Sequence, residues 1–202
     1  MKINKIGKWK VTILETGDFW LDGGAMMGSV PKVLWQKTNP SDSFNRIQLA
    51  LRCLLLDDGK NVILIETGIG DNNSDKFIKM FNIIQNKNAL SNTLSKSCYN
   101  AKDITHVVLT HLHFDHAGGA TKLAKTGEII PSFPNAKYYI SKKNWEAGLD
   151  PSPRDCASYL KENYMTLFEK GVLNIVDENS NILEGISTYV VNGHTYGQQL
   201  VK

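Results

Sequence analysis

Thr110-His111-Leu112-His113-Phe114-Asp115-His116-Ala117-Gly118-Gly119 is the stretch on which this 202-residue chain turns. It sets three imidazoles and one carboxylate within six consecutive positions. Upstream, Val107-Val108-Leu109 is short, apolar and mostly β-branched, and reads as a buried strand. Downstream, Ala117-Gly118-Gly119 lets the backbone turn tightly, and a helix is expected through Thr121, Lys122, Leu123 and Ala124. The polar cluster therefore belongs to the loop at the C-terminal end of a buried strand, where open α/β sheets carry their chemistry.

The spacing has a chemical meaning. His111 and His113 lie two apart, so an extended loop can turn both toward one metal ion at about 2 Å. Asp115 and His116 fall beyond the turn and can serve a second ion. Neutral imidazole with a carboxylate suits Zn²⁺, with Fe or Mn as other occupants. One such histidine would more simply be a satisfied core residue. Four donors in six positions would bury too much polarity without compensation.

His111-x-His113-x-Asp115-His116 resembles the signature of the metallo-β-lactamase superfamily of metallohydrolases. Leu21-Asp22-Gly23-Gly24-Ala25-Met26-Met27-Gly28, with Val30-Pro31-Lys32 and Leu34-Trp35, is similar to the opening of its lactonase-like, quorum-quenching branch. Phe133-Pro134-Asn135-Ala136-Lys137-Tyr138 and Gly193-His194-Thr195-x-Gly197 resemble the same branch. The resemblance implies an α/β (α+β) fold, the αββα sandwich. It also implies His194 as third ligand of the first ion, beside His111 and His113, with Asp115 and His116 on the second. Two zinc ions are expected in the complete domain. Where the family usually ends a strand with Asp-Thr-Gly, this chain has Glu66-Thr67-Gly68. Either the loop accommodates the extra methylene, or support of the metal loop weakens. The family often has a further His where this chain has Gln198. Its bridging Asp and last His follow the third-His segment, whereas no Asp or His follows His194 here. Residues 1–202 are thus expected to be the N-terminal major portion of one domain, incomplete at the C-terminus and with little activity alone.

Composition narrows the partners. The chain is 42% hydrophobic and 21% charged, with a net charge of +3 spread along its length, so no basic stripe for nucleic acid is indicated. No apolar run is long enough to span a bilayer. Met1 to Lys8 is charged with no apolar region behind it, unlike a secretory leader. Cys53, Cys98 and Cys156, odd in number and far apart, suit a reducing, cytoplasmic setting. The expected partner is a small-molecule substrate, with no nucleic acid or membrane; oligomeric state is left open.

In chain order, Lys10 to Glu15 reads as a strand, Gly17-Asp18 as a turn, and Phe19 to Leu21 as a second extended piece. Asp22-Gly23-Gly24 reads as a turn leading to Met26 and Met27, which either overhang the site or pack in the core. Ile47 to Leu55 alternates as a half-buried strand, Asp57-Asp58-Gly59-Lys60 is a hairpin signal, and Val62 to Ile65 returns. Ser74 caps a helix with Phe77, Met80, Phe81 and Ile84 on one face, and a second helix covers Leu90 to Cys98. His106 is expected to be structural. Ile129 to Phe133 reads as a loop, Tyr138 to Ile140 as a strand, and Ser141 as the cap of a helix through Trp145. After the break at Pro151-Ser152-Pro153, Cys156, Leu160, Tyr164, Leu167 and Phe168 recur at helical spacing up to Gly171. The stripe reads first as core packing, and the resemblance makes Tyr159 and Tyr164 candidates for pocket contacts. Val172 to Val176, Ile186 to Val191 and the segment from Gln199 read as strands.

The leading functional reading is a hydrolase in which two ions ready a water to attack a carboxylic ester or lactone, with Asp115 orienting it. The alternatives are an iron-dependent oxidoreductase of the sulfur dioxygenase type on the same fold, and a non-catalytic remnant. The diiron flavoprotein branch has Glu where this chain has His113, which counts against that version.

Overall fold

The computed structural model describes residues 4–202. The leader reading therefore falls partly outside the described residues, which exclude Met1, Lys2 and Ile3. The chain opens with β1 (Lys5–Ile6), β2 (Trp9–Asp22), α1 (Gly23–Met27), α2 (Lys32–Trp35), β3 (Arg46–Asp57) and β4 (Val62–Ile65). It continues through α3 (Asp75–Met80), α4 (Ala89–Lys96), β5 (His106–Val108), α5 (Phe114–Ala117), β6 (Thr121–Leu123), β7 (Ile129–Pro131), β8 (Lys137–Ser141) and α6 (Lys142–Leu149). After α7 (Met165–Glu169) come β9 (Leu173–Val176), β10 (Asn181–Leu183), β11 (Ile186–Val191) and β12 (Gln198–Val201).

Seven strands form one sheet in the order β1-β2-β3-β4-β5-β8-β9. Its first half is antiparallel; β4, β5, β8 and β9 run parallel. A second sheet, β10-β11-β12, is antiparallel. Alternation along the strands sends side chains to two different cores. On one face of the large sheet Leu14, Cys53, Leu55, Leu64, Val107, Leu109 and Tyr138 pack with Leu94 of α4, Trp145 of α6 and Leu167 of α7. On the other, Val11, Leu56, Ile63, Ile65, Val108 and Tyr139 meet Ile186, with Leu183 and Val201 beside them, from the second sheet. The described residues thus layer as helices, sheet, sheet, in a mixed α/β fold, as expected of three layers of an αββα sandwich.

Several local expectations are corrected. Gly17-Asp18 is no turn: β2 runs through it, with a register shift between Glu15 and Gly17. Asp18 exchanges backbone hydrogen bonds with Ile84 there, at 2.9 and 2.8 Å. A bulge with Gly17 at φ 148° makes room for that crossing chain. Asp22 caps a helix instead of opening a turn, its carboxylate accepting the Ala25 N–H at 2.8 Å. Trp35 is buried under Gly23, whereas Met26, Val33 and Leu34 are exposed, so core packing holds for the Trp and fails for Met26. The helix from Ser74 stops at Met80, and Met80 and Ile84 face out.

Thr121–Leu123 is a strand, and Thr121 to Ala124 forms no helix. β6 pairs with β7, in the segment expected as a loop, around a turn with Gly127 at φ 84°. The helical spacing from Cys156 to Phe168 also fails as a helix. Short 3₁₀ turns at Cys156–Ser158 and Lys161–Asn163 precede α7. Tyr159, between the turns, is extended and forms a β-bridge to His113, a tertiary contact that outweighs the local period. The β3–β4 hairpin is as expected: the Asp58 carboxylate accepts the Lys60 and Asn61 N–H groups at 3.0 and 2.7 Å. All three cysteines are free, Cys53 buried and Cys98 and Cys156 exposed. Among the described residues no helix is long and apolar enough to cross a membrane.

Candidate metal centre

The motif emerges where β5 ends. His111 and His113 lie in the extended segment after the strand, and His113 is the residue from which α5 starts, with Asp115 in its first turn. His194 follows β11. One ring nitrogen from each of His111, His113 and His194 falls within 4.8 Å of the others. Nothing in the sequence order brings residue 194 to residue 111. The register of β12 does so, for the Gln199 N–H donates to the Thr110 carbonyl at 2.8 Å, beside the motif.

His111 and His113 are almost wholly buried, and the Nε2 atom of each lacks a hydrogen-bond partner. Burial, then the neighbouring imidazoles, hold His111 well below the usual histidine range. Burial and His194 lower His113 to about 4. Both rings are therefore neutral at pH 7 and present unshared nitrogen lone pairs. Two buried orphaned imidazole nitrogens aimed at a third are costly unless something accepts those lone pairs. A borderline cation bound by neutral imidazole fits that requirement.

Asp115 and His116 stand beside the triad rather than within it. The rings of His111 and His116 are 4.0 Å apart, and His116 Nε2 lies 3.2 Å from Asp115 Oδ2. Two donors on one tetrahedral zinc are about 3.4 Å apart, so this pair has a suitable bite. Burial opposes charge on His116, but Glu66 and Asp115 together raise its pKa well above the ordinary value. Burial also opposes charge on Asp115, yet the contact with His116 leaves its pKa lowered.

Glu66 answers the question left by its extra methylene. One carboxylate oxygen accepts the Thr110 N–H at 2.7 Å and the other lies 2.8 Å from His116 Nδ1. The loop thus accommodates the longer side chain, and Glu66 itself sits at φ 67°, a left-handed conformation uncommon outside glycine. Close packing behind it depends on glycine: a Cβ on Gly119 would run into the Thr67 carbonyl.

Of the tyrosines proposed as pocket contacts, Tyr159 packs edge-on against His113 with ring centroids 4.7 Å apart. Tyr164 does not reach the site; it is fully buried and donates to the Gly148 carbonyl at 2.8 Å. His106 is structural as expected, hydrogen-bonded to Thr105 and stacked on Tyr139. Asn144 and Gln199 were not anticipated. Gln199 is buried and its amide donates to the Leu109 carbonyl at 2.8 Å. Neither position carries a sequence signal, because a buried amide is defined by partners distant in the chain.

Residues 50–201 match the profile of the metallo-beta-lactamase superfamily. An N-acyl homoserine lactonase from a Bacillus species is 26% identical over 162 residues, 76% of this chain and 58% of that protein. The chain thus spans a little over half the length of the curated relatives it matches. A probable metal-dependent hydrolase from Staphylococcus aureus superposes with a TM-score of 0.87 at 29% identity, over 98% of this chain and 69% of that one. A dizinc quorum-quenching lactonase, in complex with a product, superposes with a TM-score of 0.70 at 22% identity, over 98% and 68%, a likeness of fold. With the family profile spanning both β5 with its histidine loop and the strand pair that returns His194 to it, the chain belongs to the metallo-beta-lactamase superfamily.

Proposed function

We propose that this chain carries the metal-binding core of a hydrolase acting on a carboxylic ester or lactone. The observation that carries the reading is the pair of buried, unpartnered Nε2 atoms of His111 and His113 converging with His194. These three residues would hold one ion, and Asp115 with His116 a second. Zinc is the expected metal, on the donor set and by analogy with the dizinc relative. A divalent ion there, when bound, polarises a carbonyl and makes water a usable nucleophile near pH 7.

The chain's own residues set the conditions for that chemistry. Thr110 Oγ1 sits 2.9 Å from His111 Nδ1, so a proton on Nδ1 can be anchored there while Nε2 stays free as a donor. Glu66 likewise anchors a proton on His116 Nδ1. Asp115, held ionised, would orient the nucleophile by accepting a hydrogen bond from it. Tyr159 closes one side of His113 and keeps solvent off it. The ester or lactone substrate class rests on likeness to the N-acyl homoserine lactonases.

The test combines metal analysis with a substrate panel. Protein purified without chelator should contain zinc, and His111→Ala and His113→Ala should each lose most of it, since each removes a direct ligand. Lactones or carboxylic esters should turn over in preference to β-lactams and phosphodiesters. Iron as the native metal would favour the oxidoreductase reading. Undiminished metal in both histidine variants, or turnover of phosphodiesters alone, would overturn the proposal.

A further inference from the structure

The ligands of the candidate first ion come from two loops far apart in sequence. His111 and His113 belong to the loop after β5, and His194 to the loop between β11 and β12. An ion bound by all three is held only as well as the distance between those loops is fixed. One side chain is bonded to both. The Asn144 Oδ1 accepts the N–H of Leu112, the residue between His111 and His113, at 2.8 Å. The Asn144 Nδ2 donates to the carbonyl of Tyr196, two residues beyond His194, at 2.7 Å. Because one partner is a backbone donor and the other a backbone acceptor, the amide has a single satisfactory orientation.

The surroundings reinforce this placement. Asn144 is fully buried in the first turn of α6, and its own N–H donates to the capping Ser141 hydroxyl at 3.2 Å. Ser141 in turn donates to the Gly197 carbonyl, so the start of α6 grips the His194 loop at a second point. Asn144 Nδ2 also lies 3.3 Å from the Tyr159 hydroxyl, which hydrogen-bonds the hydroxyl of Thr195, next to His194. Gly197, at φ 70°, lets the loop lie directly on the backbone of Lys143 and Asn144. His194 itself is exposed.

We propose that Asn144, backed by the Tyr159 hydroxyl, is a positioning residue that fixes the span between the His111–His113 pair and His194. It touches no reacting atom. It acts by making the triad a pre-set site rather than one that the ion must assemble, and so sets metal affinity. This rests on the reading of the three histidines as one metal site, and deepens it. Residues that orient metal ligands typically change affinity 10- to 100-fold when removed.

The experiment is zinc titration against a competing chromophoric chelator, with cobalt(II) absorption as a report on ligand geometry and thermal melting of the metal-free protein as the control for folding. Asn144→Ala is expected to weaken zinc about 10- to 100-fold and alter the cobalt(II) band. Tyr159→Phe, which removes one hydroxyl and no backbone contact, is expected to stay folded, with a melting temperature lowered only by the lost hydroxyl bonds, and to weaken zinc about 10-fold, the lower end of that range. His111→Ala should abolish tight binding in the same assay. Loss of zinc in His111→Ala with wild-type affinity and cobalt(II) spectra in the other two would leave the metal site standing and overturn the role of Asn144. Wild-type affinity in His111→Ala would overturn the metal reading itself. Should Asn144→Ala fail to fold, Tyr159→Phe decides: wild-type affinity there overturns the proposal, and weakened zinc in a normally folded protein supports it.

Discussion

Glu66 is the residue at which a departure from the family pattern had to be resolved by geometry. Its carboxylate joins the Thr110 backbone to the His116 ring, and its own backbone is left-handed. A hydrogen bond to a charged group in such a place contributes about 1.5–3 kcal/mol. Glu66→Gln keeps the size and the acceptor for Thr110 but sets a neutral amide against His116. Metal retention should weaken about 10- to 100-fold, with the fold intact, as measured by chelator competition beside circular dichroism. Equal retention would mean the His116 contact is immaterial to the metal. The motif residues were legible because four ligand-type side chains, His111, His113, Asp115 and His116, are readable as types and spacings. That Glu66 is long enough was not, since reach depends on where the backbone of two loops comes to rest.

At the scale of elements, the successes and failures separate by how local their causes are. Ser74 and Ser141 cap the helices expected of them, because capping is settled within three residues. The strand at Ile47 to Leu55 follows from its own alternation. Gly17 misled because a glycine beside an aspartate looks the same in a turn and in a bulge. Only the Ile84 segment crossing beside it distinguishes the two. A Cβ at position 17 would stand 2.5 Å from the Ile84 carbonyl oxygen and 2.7 Å from Gln85 Cβ. Gly17→Val should therefore cost about 2–4 kcal/mol, through the clash and the positive φ together. Urea denaturation provides the measurement, and a loss below about 0.5 kcal/mol, the level of an ordinary surface substitution, would show that the bulge is not needed. The broken segment around Tyr159 differs from its local period for the same reason, a partner supplied from elsewhere in the fold, His113.

For the whole molecule, the large sheet separates two apolar layers, and Cys53 lies in the helix-side one. Burial, then the charge of Glu66, push its thiol well above the ordinary cysteine range. Cys98 and Cys156 are exposed. An aromatic disulfide reagent at neutral pH should thus modify two thiols quickly and the third only on unfolding. Rapid modification of all three in the native protein would show that this core is open. The sequence alone pointed to the family and to the strand that bears the candidate site, and it singled out His111, His113, Asp115 and His116 as candidate ligands. All of these are encoded in contiguous residues, where spacing and chemistry are read together. His194 was reachable only through resemblance, since an isolated histidine after a strand has no chemistry of its own. The tertiary structure decided that the three imidazole nitrogens meet, that Glu66 spans its gap, and that Asn144 ties one ligand loop to the other. Those facts depend on hydrogen bonds between residues 30 to 90 positions apart, and such distances are fixed by how the sheets and helices pack, not by any local pattern.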